Sequence, residues 1–345
     1  VNWAKDKILY FRSMLQLLRK IAFPISLIYA LVVHVRNFLF NTGVFSSKSY
    51  RIPTICVGNL SVGGTGKTPM TEYVLRILAE RNTAVLSRGY KRKSDGFYLA
   101  NAKSTVLELG DEPYQIHRKF PEVAVAVDAD RCNGIEKLEK LVNPEMIVLD
   151  DAFQHRKVKP TFSILLTTYQ NLYVDDWYLP TGSLRDAKKE AKRADLIIVT
   201  KCPLGLDDIE RNAIEAKLTP EKHQKVLFAH LAYHDCVSDG SEEKIPLKEL
   251  KGRQVALVTG IASPGPLVRY LDDLGVDFKH FEFGDHHNFN ASEIDKFKGY
   301  ELILTTEKDF VRLKGSVDRL YYLEIAHNFS KKDELILQRA IEDLF

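Results

Sequence analysis

The sequence predicts an α/β protein with a mainly parallel sheet and helices on both of its faces. Two observations carry this prediction. After Tyr50, short apolar runs rich in β-branched residues alternate with segments that have the helical interval, which is typical of parallel strands joined by helices. The first run also leads through a glycine-rich loop into a helix, so the ligand site is expected beyond the carboxyl ends of the strands.

Composition narrows the class of protein. The chain has 345 residues, of which 49 are Lys or Arg and 46 are Asp or Glu, for a net charge of +3. This near balance argues against a nucleic-acid binder, which needs a concentrated basic surface. The four cysteines lie far apart without a C-x-x-C pair, so they indicate neither a zinc site nor a disulfide framework, and a reducing compartment fits best. No secretory signal is evident, and we expect the body of the protein in the cytoplasm.

An uncharged apolar run, residues 21–35, stands before Arg36. Five basic residues precede it: Lys5, Lys7, Arg12, Arg19 and Lys20. The run is shorter than the roughly 20 residues of a spanning helix. It contains Pro24, Tyr29 and His34, so we interpret it as an interfacial helix whose flanking cations meet anionic lipid headgroups. An ordinary core helix packed on the body is the alternative.

Nine apolar runs after Tyr50 are predicted to be strands. They are Pro53–Val57, Thr83–Leu86, Val123–Val127, Met146–Leu149, Phe162–Leu166, Leu196–Val199, Val255–Val258, Leu302–Leu304 and Leu320–Leu323. A further β-like run spans Phe278–Phe283. The helix after the glycine-rich loop is predicted from Pro69 in its first turn and from apolar residues at the helical interval up to Leu78.

The glycine-rich loop has the features of a Walker A phosphate loop (P-loop), which makes the predicted fold P-loop NTPase-like. Between strand and helix stand Ser61, Val62, Gly63, Gly64, Thr65, Gly66, Lys67 and Thr68. Backbone amides from Gly63 to Lys67 are expected to bind phosphate oxygens of ATP. Lys67 would reach the β- and γ-phosphates, and Thr68 would ligate Mg²⁺. Ser61 departs from the motif, which has glycine there.

The apolar run at Met146 ends in Asp150 and Asp151, as in a Walker B strand that holds Mg²⁺ near the P-loop. Asp150 is the better candidate for the metal, and a turn or helix cap is the alternative interpretation. The residues that follow lack the glycine that a GTPase switch places three positions after its aspartate. This absence disfavours a nucleotide-switch protein.

Other polar residues follow predicted strands or turns. Gly110-Asp111-Glu112-Pro113 is a turn whose acids either cap a helix or accept the proton of an attacking hydroxyl. Of the adjacent His286 and His287, at most one is expected to act at a given site. Lys201 and Lys308 each follow a strand, where they either line a nucleotide or anionic-substrate site or lie in a solvated loop.

These motifs together resemble the tetraacyldisaccharide 4'-kinase (lipid A 4'-kinase) family. The resemblance runs from about residue 50 to residue 310 and rests on eight motifs in order: Val57-Gly58-Asn59-Leu60, Gly63 to Pro69, Ser87-Arg88-Gly89-Tyr90, Gly110 to Pro113, Leu149 to His155, Leu179 to Arg185, Asp285-His286, and Thr306-Glu307-Lys308-Asp309. It implies four segments: a membrane-associated segment (1–45), a P-loop kinase domain (46–160), a smaller α/β domain (161–325) and a return to the first domain (326–345).

The resemblance also implies residue roles. Catalysis is assigned to Asp111 as base, to His286 as its assistant, and to Lys67 and Asp151. Mg²⁺ is assigned to Thr68 and Asp150. The further polar groups, which we take to bind substrate, are Arg88, Arg131, Gln154, His155 and Arg185. The chain departs from the family at Ala152, where glycine is usual, and at Asp186, where glutamate is frequent.

The implied reaction transfers the γ-phosphate of ATP to the 4'-hydroxyl of a tetraacylated glucosamine disaccharide 1-phosphate in lipid A biosynthesis. The partners expected are this lipid-linked substrate and the cytoplasmic face of the bacterial inner membrane, with no nucleic acid and no obligate protein partner. A membrane-attached P-loop switch or chaperone ATPase that acts on a protein is the alternative. A kinase of a small soluble molecule would leave the apolar run before Arg36 without a purpose.

Overall fold

The computed structural model describes residue 19 and residues 21–241 and 244–345. Lys5, Lys7, Arg12 and Lys20, predicted to meet lipid headgroups, lie outside the described residues. The helices are α1 (Phe23–Asn41), α2 (Lys67–Ile77), α3 (Val106–Leu109), α4 (Asp111–Lys119), α5 (Arg131–Leu141), α6 (Asp208–Leu218), α7 (Gly265–Asp273), α8 (Ala291–Ile294), α9 (Glu307–Leu313) and α10 (Lys331–Glu342). The strands are β1 (Thr54–Asn59), β2 (Thr83–Ser87), β3 (Tyr98–Leu99), β4 (Ala124–Val127), β5 (Met146–Asp150), β6 (Phe162–Thr168), β7 (Leu196–Thr200), β8 (Lys225–Ser238), β9 (Lys244–Pro246), β10 (Val255–Thr259), β11 (Phe278–Glu282), β12 (Leu302–Thr306) and β13 (Leu320–Phe329).

The predicted α/β class is confirmed, and each predicted apolar run forms a strand. The pairings of β1 with β5 and β6, of β7 with β6 and β8, of β2 with β4, and among β10 to β13 are parallel. The pairings of β3 with β4 and of β8 with β9 are antiparallel. The prediction missed β3, β8 and β9. The long strand β8 contains His230, His234 and Asp235 among its apolar residues, which hides it from a search for continuous apolar runs.

The chain divides into two compact units. Unit 1 comprises Val1–Lys67, Glu145–His230 and Phe329–Phe345, and unit 2 comprises Thr68–Pro144 and Leu231–Asn328. The four segments implied by the family resemblance stay a prediction.

In unit 1, five parallel strands lie in the order β8-β7-β6-β1-β5. All six residues of β1 are buried, as expected of a central strand with neighbours on both edges. Val57 of β1 pairs with Asp150 of β5. The acidic end of β5 therefore lies beside the point where β1 leads into the P-loop.

Helix α1 packs against the rest of unit 1 through its polar side. Ser26 donates to the hydroxyl of Thr181 at 2.8 Å, Tyr29 to the carbonyl of Arg185 at 3.1 Å, and Asn37 to the carboxylate of the fully buried Asp186 at 2.7 Å. The rest of the helix exposes large apolar side chains: Phe23, Ile25, Leu27, Ile28, Leu31, Val32, Val35 and Phe38. This is the reverse of a helix that covers a soluble core.

The helix is longer than the predicted apolar run. It continues past Arg36 to Asn41 because Arg36 and Asn37 both bind Asp186, so their polar groups are satisfied. Of the helices that the structure describes, α1 is long and apolar enough to cross a membrane by length and composition, with a mean hydropathy of 1.6.

Unit 2 contains the strands β2-β4-β3 and the parallel set β11-β10-β12-β13. Alternate residues of β10 and β12 belong to two apolar clusters, one on each face. Val255, Leu257, Leu302 and Leu304 pack with α7, whereas Ala256, Val258 and Ile303 pack with Phe310 and Leu313 of α9. Both faces are thus covered, as the apolar runs predicted.

Helices α4 and α9 of unit 2 are joined by a polar contact at each end of α4. Arg312 of α9 binds Asp111, the first residue of α4, and Glu307, the first residue of α9, binds Lys119 at the end of α4. This pairing positions the residues described below.

Candidate active site

The P-loop of unit 1 has the backbone that its glycines predict. Gly63 and Gly66 have φ angles of +111° and +85°, which residues with a side chain rarely adopt. A Cβ built on Gly63 meets nothing within 4 Å, so the loop lies open on that side. The amide of Asn59 donates to the Thr65 hydroxyl at 2.8 Å, and the Thr200 hydroxyl donates to the Thr65 carbonyl at 2.8 Å. These bonds hold the loop in its shape.

Ser61, the departure from the motif, is explained by its surroundings. It is not among the residues with positive φ, so a Cβ is tolerated. Its hydroxyl donates to Asp176 at 3.2 Å, and its backbone forms a β-bridge with Leu184. Val62 next to it remains 45% exposed. The first glycine of the motif is therefore replaced without disturbing the loop.

Helix α2 begins at Lys67, directly after the loop, and has no acidic residue in its first turn. Its unpaired amides and positive end favour an anion at this point. The Lys67 ammonium lies 3.8 Å from the carboxylate of Asp151. Thr68 is the next residue of the helix.

The acidic end of β5 has two different carboxylates. Asp150 is 5% exposed, whereas Asp151 has a φ of +47° and a partly exposed side chain. Arg185 binds Asp151 with both of its terminal nitrogens, one of them at 3.1 Å. Ala152, where the family usually has glycine, does not adopt a positive φ, so its methyl group introduces no backbone strain.

Asn59 connects the predicted residues of unit 1, although sequence reasoning assigned it no role. Its side-chain oxygen accepts from Arg185 at 2.5 Å, and its carbonyl accepts from Gln154 at 2.6 Å. The side-chain oxygen of Gln154 and the Nε atom of Arg185 are buried without a hydrogen-bond partner among the described residues. A buried asparagine at the end of an apolar strand was the available signal.

The residues present fit a magnesium–nucleotide complex. The loop lies open at Gly63, so phosphate oxygens can approach its backbone amides. The oxygens of Asp150, Asp151 and Thr68 belong to the ligand class that Mg²⁺ prefers.

Unit 2 holds a second group of predicted residues, centred on Asp111. Gly110 has a φ of +87°, and the predicted turn leads into α4 with both acids in its first turn. Nδ1 of His286 lies 2.8 Å from the Asp111 carboxylate. Arg312, missed by sequence reasoning, binds the same carboxylate from a side chain that is 7% exposed. His286 has a φ of +59° and donates its backbone amide to the Gly260 carbonyl at 3.1 Å.

The ring of His286 lies between the Asp111 carboxylate and two cations, Lys308 and Arg312. Lys308 lies 2.9 Å from Nε2, and an ammonium group can only donate, so Nε2 accepts this hydrogen bond. Nδ1 faces both the Asp111 carboxylate and, at 3.1 Å, the Arg312 guanidinium, so these three side chains form one hydrogen-bonded cluster. Burial opposes ionisation of Asp111, but the hydrogen bonds from His286 and Arg312 outweigh it and hold the pKa of Asp111 well below its usual range.

The other predicted residues have varied positions. Arg88 is exposed just after β2. Arg131 is 3% exposed, and its guanidinium donates to the carbonyls of Asp128 and Ala129 at 3.2 Å. The backbone amide of His155 donates to the Ala152 carbonyl at 2.8 Å. Thus Ser61 to Lys67, Asp150, Asp151, Gln154 and Arg185 lie together in unit 1, and Asp111 and His286 are in contact in unit 2. The adjacent His287 binds Glu293 at 2.8 Å instead.

Comparisons with known proteins agree with this geometry. A family model described as tetraacyldisaccharide-1-P 4'-kinase matches residues 18–342. The tetraacyldisaccharide 4'-kinase of Flavobacterium johnsoniae is 47% identical over 96% of this chain and 99% of its own, and that of Bacteroides thetaiotaomicron is 46% identical over 86% and 83%. A crystal structure of "apo" form LpxK from Aquifex aeolicus in complex with ATP is 31% identical, with a TM-score of 0.80 over 95% of this chain and 99% of that chain.

Proposed function

The chain belongs to the tetraacyldisaccharide-1-P 4'-kinase family, and we propose that it transfers the γ-phosphate of ATP to the 4'-hydroxyl of a tetraacylated glucosamine disaccharide 1-phosphate in lipid A biosynthesis. The family resemblance predicted from the sequence is confirmed by a match that spans residues 18–342. The observation that carries the proposed activity is the intact P-loop in a chain of this family.

The P-loop and the start of α2 supply the binding of the phosphate donor. Backbone amides of the loop and the first turn of α2 bind the phosphates, and Lys67 balances their negative charge. Thr68 and Asp150 would hold Mg²⁺, which when bound neutralises charge on the phosphate that is transferred. Arg185, which also donates to Asn59, binds the carboxylate of Asp151 beside Lys67.

Unit 2 supplies the acceptor of the proton. The 4'-oxygen bonds to the γ-phosphorus while the bond to the β–γ bridging oxygen breaks, so ADP leaves and the hydroxyl proton must be taken up. We assign that proton to the Asp111–His286 pair rather than to one atom, because the two side chains share one hydrogen bond. The low pKa of Asp111 makes it a weak base alone, and His286 offsets this weakness.

Polar groups outside this chemistry are assigned to the disaccharide. Arg88 is an exposed cation that suits a phosphate or hydroxyl group of the substrate, and Gln154 has a free side-chain oxygen. His155 and Arg185 join them in this assignment. Arg131 contributes less, because its guanidinium already binds two backbone carbonyls.

The membrane surface is the proposed place of the reaction. Helix α1 directs polar groups to the protein and apolar side chains outward, so an apolar medium must cover the outer side. Trp177 extends this surface, since it is 58% exposed and its ring packs edge-on against Phe23 at 5.5 Å. Attachment to the cytoplasmic face of the bacterial inner membrane gives access to the acylated substrate and to ATP.

A direct test measures phosphate transfer from ATP labelled at the γ position to the lipid disaccharide. Lys67→Met and His286→Gln should each lower kcat by at least about 100-fold. Lys67→Met removes the cation that stabilises charge on the phosphate, and His286→Gln removes one of the two groups of the proton acceptor. His287→Gln is the matched control for the histidine, and Lys192→Met, at an exposed ion pair, is the control for the lysine. Near-normal transfer by both test variants would contradict the proposal.

The same assay distinguishes the proposed kinase from the alternative function. A P-loop switch or chaperone ATPase would hydrolyse ATP faster in the presence of a protein partner and would form no phosphorylated lipid. The appearance of a lipid product one phosphate heavier excludes that function.

A further inference from the structure

Lys201 lies beside the P-loop and has no role in the proposed chemistry. It follows the last residue of β7 in unit 1, and a Cβ built on Gly64 would lie 3.9 Å from its Nζ atom. Within the part of the chain that the structure describes, Nζ takes part in no hydrogen bond or ion pair. Sequence reasoning left it between a ligand contact and a solvated loop.

The backbone at Lys201 is fixed in an unfavourable conformation. Its φ of +57° is left-handed, which costs a residue with a Cβ about 1–2 kcal/mol relative to the ordinary region. The strand end is held there by Thr200, whose hydroxyl donates to the carbonyls of Thr65 at 2.8 Å and Thr167 at 3.2 Å. Cys202 continues the pairing by donating its amide to Ala229 at 3.0 Å. The strand end and the P-loop are therefore tied together, with the lysine directed along the loop.

The charge of Lys201 is not balanced by the protein. The side chain stays accessible, but neighbouring atoms displace enough water to lower its pKa, and no carboxylate acts in the opposite direction. Lys67 on the same loop differs, since Asp151 lies 3.8 Å from it. An accessible ammonium without a counter-ion, next to open loop amides, is complementary to an anion that arrives with the ligand.

We propose that Lys201 is a second cation of the nucleotide site and contacts the phosphate chain of the bound nucleotide at Gly64. This inference rests on the proposed binding of ATP by the P-loop. Lys201 acts on the nucleotide in its ground state, whereas Lys67 also acts on the phosphate as it is transferred. Loss of Lys201 should therefore weaken binding and leave the rate at saturation almost unchanged.

The test compares Lys201→Met with wild-type protein by calorimetric titration of ADP with Mg²⁺ and by steady-state kinetics. Loss of a charge-assisted hydrogen bond should raise the Kd for ADP and the KM for ATP by about 10- to 100-fold. The kcat at saturating ATP should change by less than about threefold. Lys201→Arg should keep most of the affinity, and Lys192→Met is the control for an exposed lysine elsewhere in unit 1.

A second variant separates charge from backbone strain. Asparagine adopts the left-handed region more readily than lysine, so Lys201→Asn should give a Tm without nucleotide at least as high as that of wild type. Its Tm should rise less on addition of ADP, because it binds the ligand more weakly. A purely structural lysine would give the opposite result, a lower Tm without ligand and an unchanged ligand-induced rise.

The outcomes distinguish this inference from the proposed function. If Lys67→Met loses nucleotide binding and Lys201→Met keeps it, the role of Lys201 is wrong and the P-loop assignment stands. A raised KM for the lipid disaccharide with an unchanged Kd for ADP would also overturn the inference, because the lysine would then bind the substrate phosphate. Failure of the wild-type protein to bind nucleotide overturns both.

Discussion

Lys119 offers the sharpest test of how unit 2 holds its proposed proton acceptor. Its ammonium lies 2.8 Å from Glu72, 2.9 Å from Glu307 and 2.7 Å from Glu324, and the three carboxylates are at most 12% exposed. These carboxylates raise the pKa of Lys119 against the effect of its burial. Burial and the neighbouring Glu72 raise the pKa of Glu307 to about 8, so this carboxyl is mostly protonated at neutral pH. Lys119→Met leaves two buried carboxylates without their shared cation.

The magnitude follows from these distances. At 2.8 Å and an effective dielectric constant of about 20, each ion pair attracts by roughly 6 kcal/mol, most of which is offset by desolvation of both partners. Removing one partner of a buried pair keeps the desolvation cost and loses the attraction, which destabilises proteins by about 3–5 kcal/mol. The Tm should fall by roughly 5–10 °C.

Activity should fall as well, because Lys119 and Asp111 are the two ends of α4. Once Glu307 loses its partner, α9 is released at one end, and Arg312 on that helix no longer holds Asp111 in a fixed position. We expect kcat to fall by about 10-fold, since small displacements of catalytic groups are costly.

The assay is urea unfolding followed by circular dichroism, together with lipid phosphorylation. Lys119→Arg keeps the charge and should retain most of the stability. Glu307→Gln replaces a mostly neutral acid and should cost less than about 1 kcal/mol at pH 7. In wild type, between about pH 4 and pH 8, the folded state keeps the Glu307 proton and the unfolded state loses it. The free energy of unfolding should therefore decrease as the pH rises through this range. Glu307→Gln should make this decrease smaller. A Lys119→Met protein as stable and as active as wild type would refute the reasoning.

Two further predictions concern the membrane surface and acid stability. The chain has two tryptophans, so in a Trp3→Phe background the emission of Trp177 should shift to shorter wavelength when anionic phospholipid vesicles are added. Protein that sediments with the vesicles but shows unchanged emission would contradict the placement of Trp177 at the lipid surface. The depressed pKa of Asp111 means that its ionised form contributes to stability above pH 4 and that this contribution disappears as the pH falls further. Asp111→Asn should therefore lose about 1.5–3 kcal/mol at pH 7 and a smaller amount near pH 3, as measured by urea unfolding at each pH. An equal loss at both values would contradict the assignment.

The strands and the P-loop could be predicted because their signals are local. Continuous apolar runs require a strand buried on both faces, and glycine at positions 63 and 66 allows the positive φ angles that the loop adopts. The helix after the loop follows from its own apolar interval. The prediction missed β8 because two histidines and an aspartate interrupt its apolar pattern, although the strand continues through these residues.

The partners of the catalytic candidates required the tertiary structure. Asp111 meets His286 across 175 positions of sequence and Arg312 across 201, and nothing local to any of the three specifies the others. The family resemblance linked Asp111 with His286, but it did not include Arg312 and assigned no role to Asn59.

The sequence by itself determined the α/β class, the P-loop and the apolar character of α1, because periodicity and backbone preference act within a few residues of each other. Only the tertiary structure decided that α1 packs through its polar side, since Asn37 and Asp186 are 149 positions apart. The tertiary structure also decided the surroundings of Lys201, because folding places no carboxylate near enough to balance its charge. Burial and charge balance at one residue depend on which distant segments fold against it, and that information is absent from any local stretch of the chain.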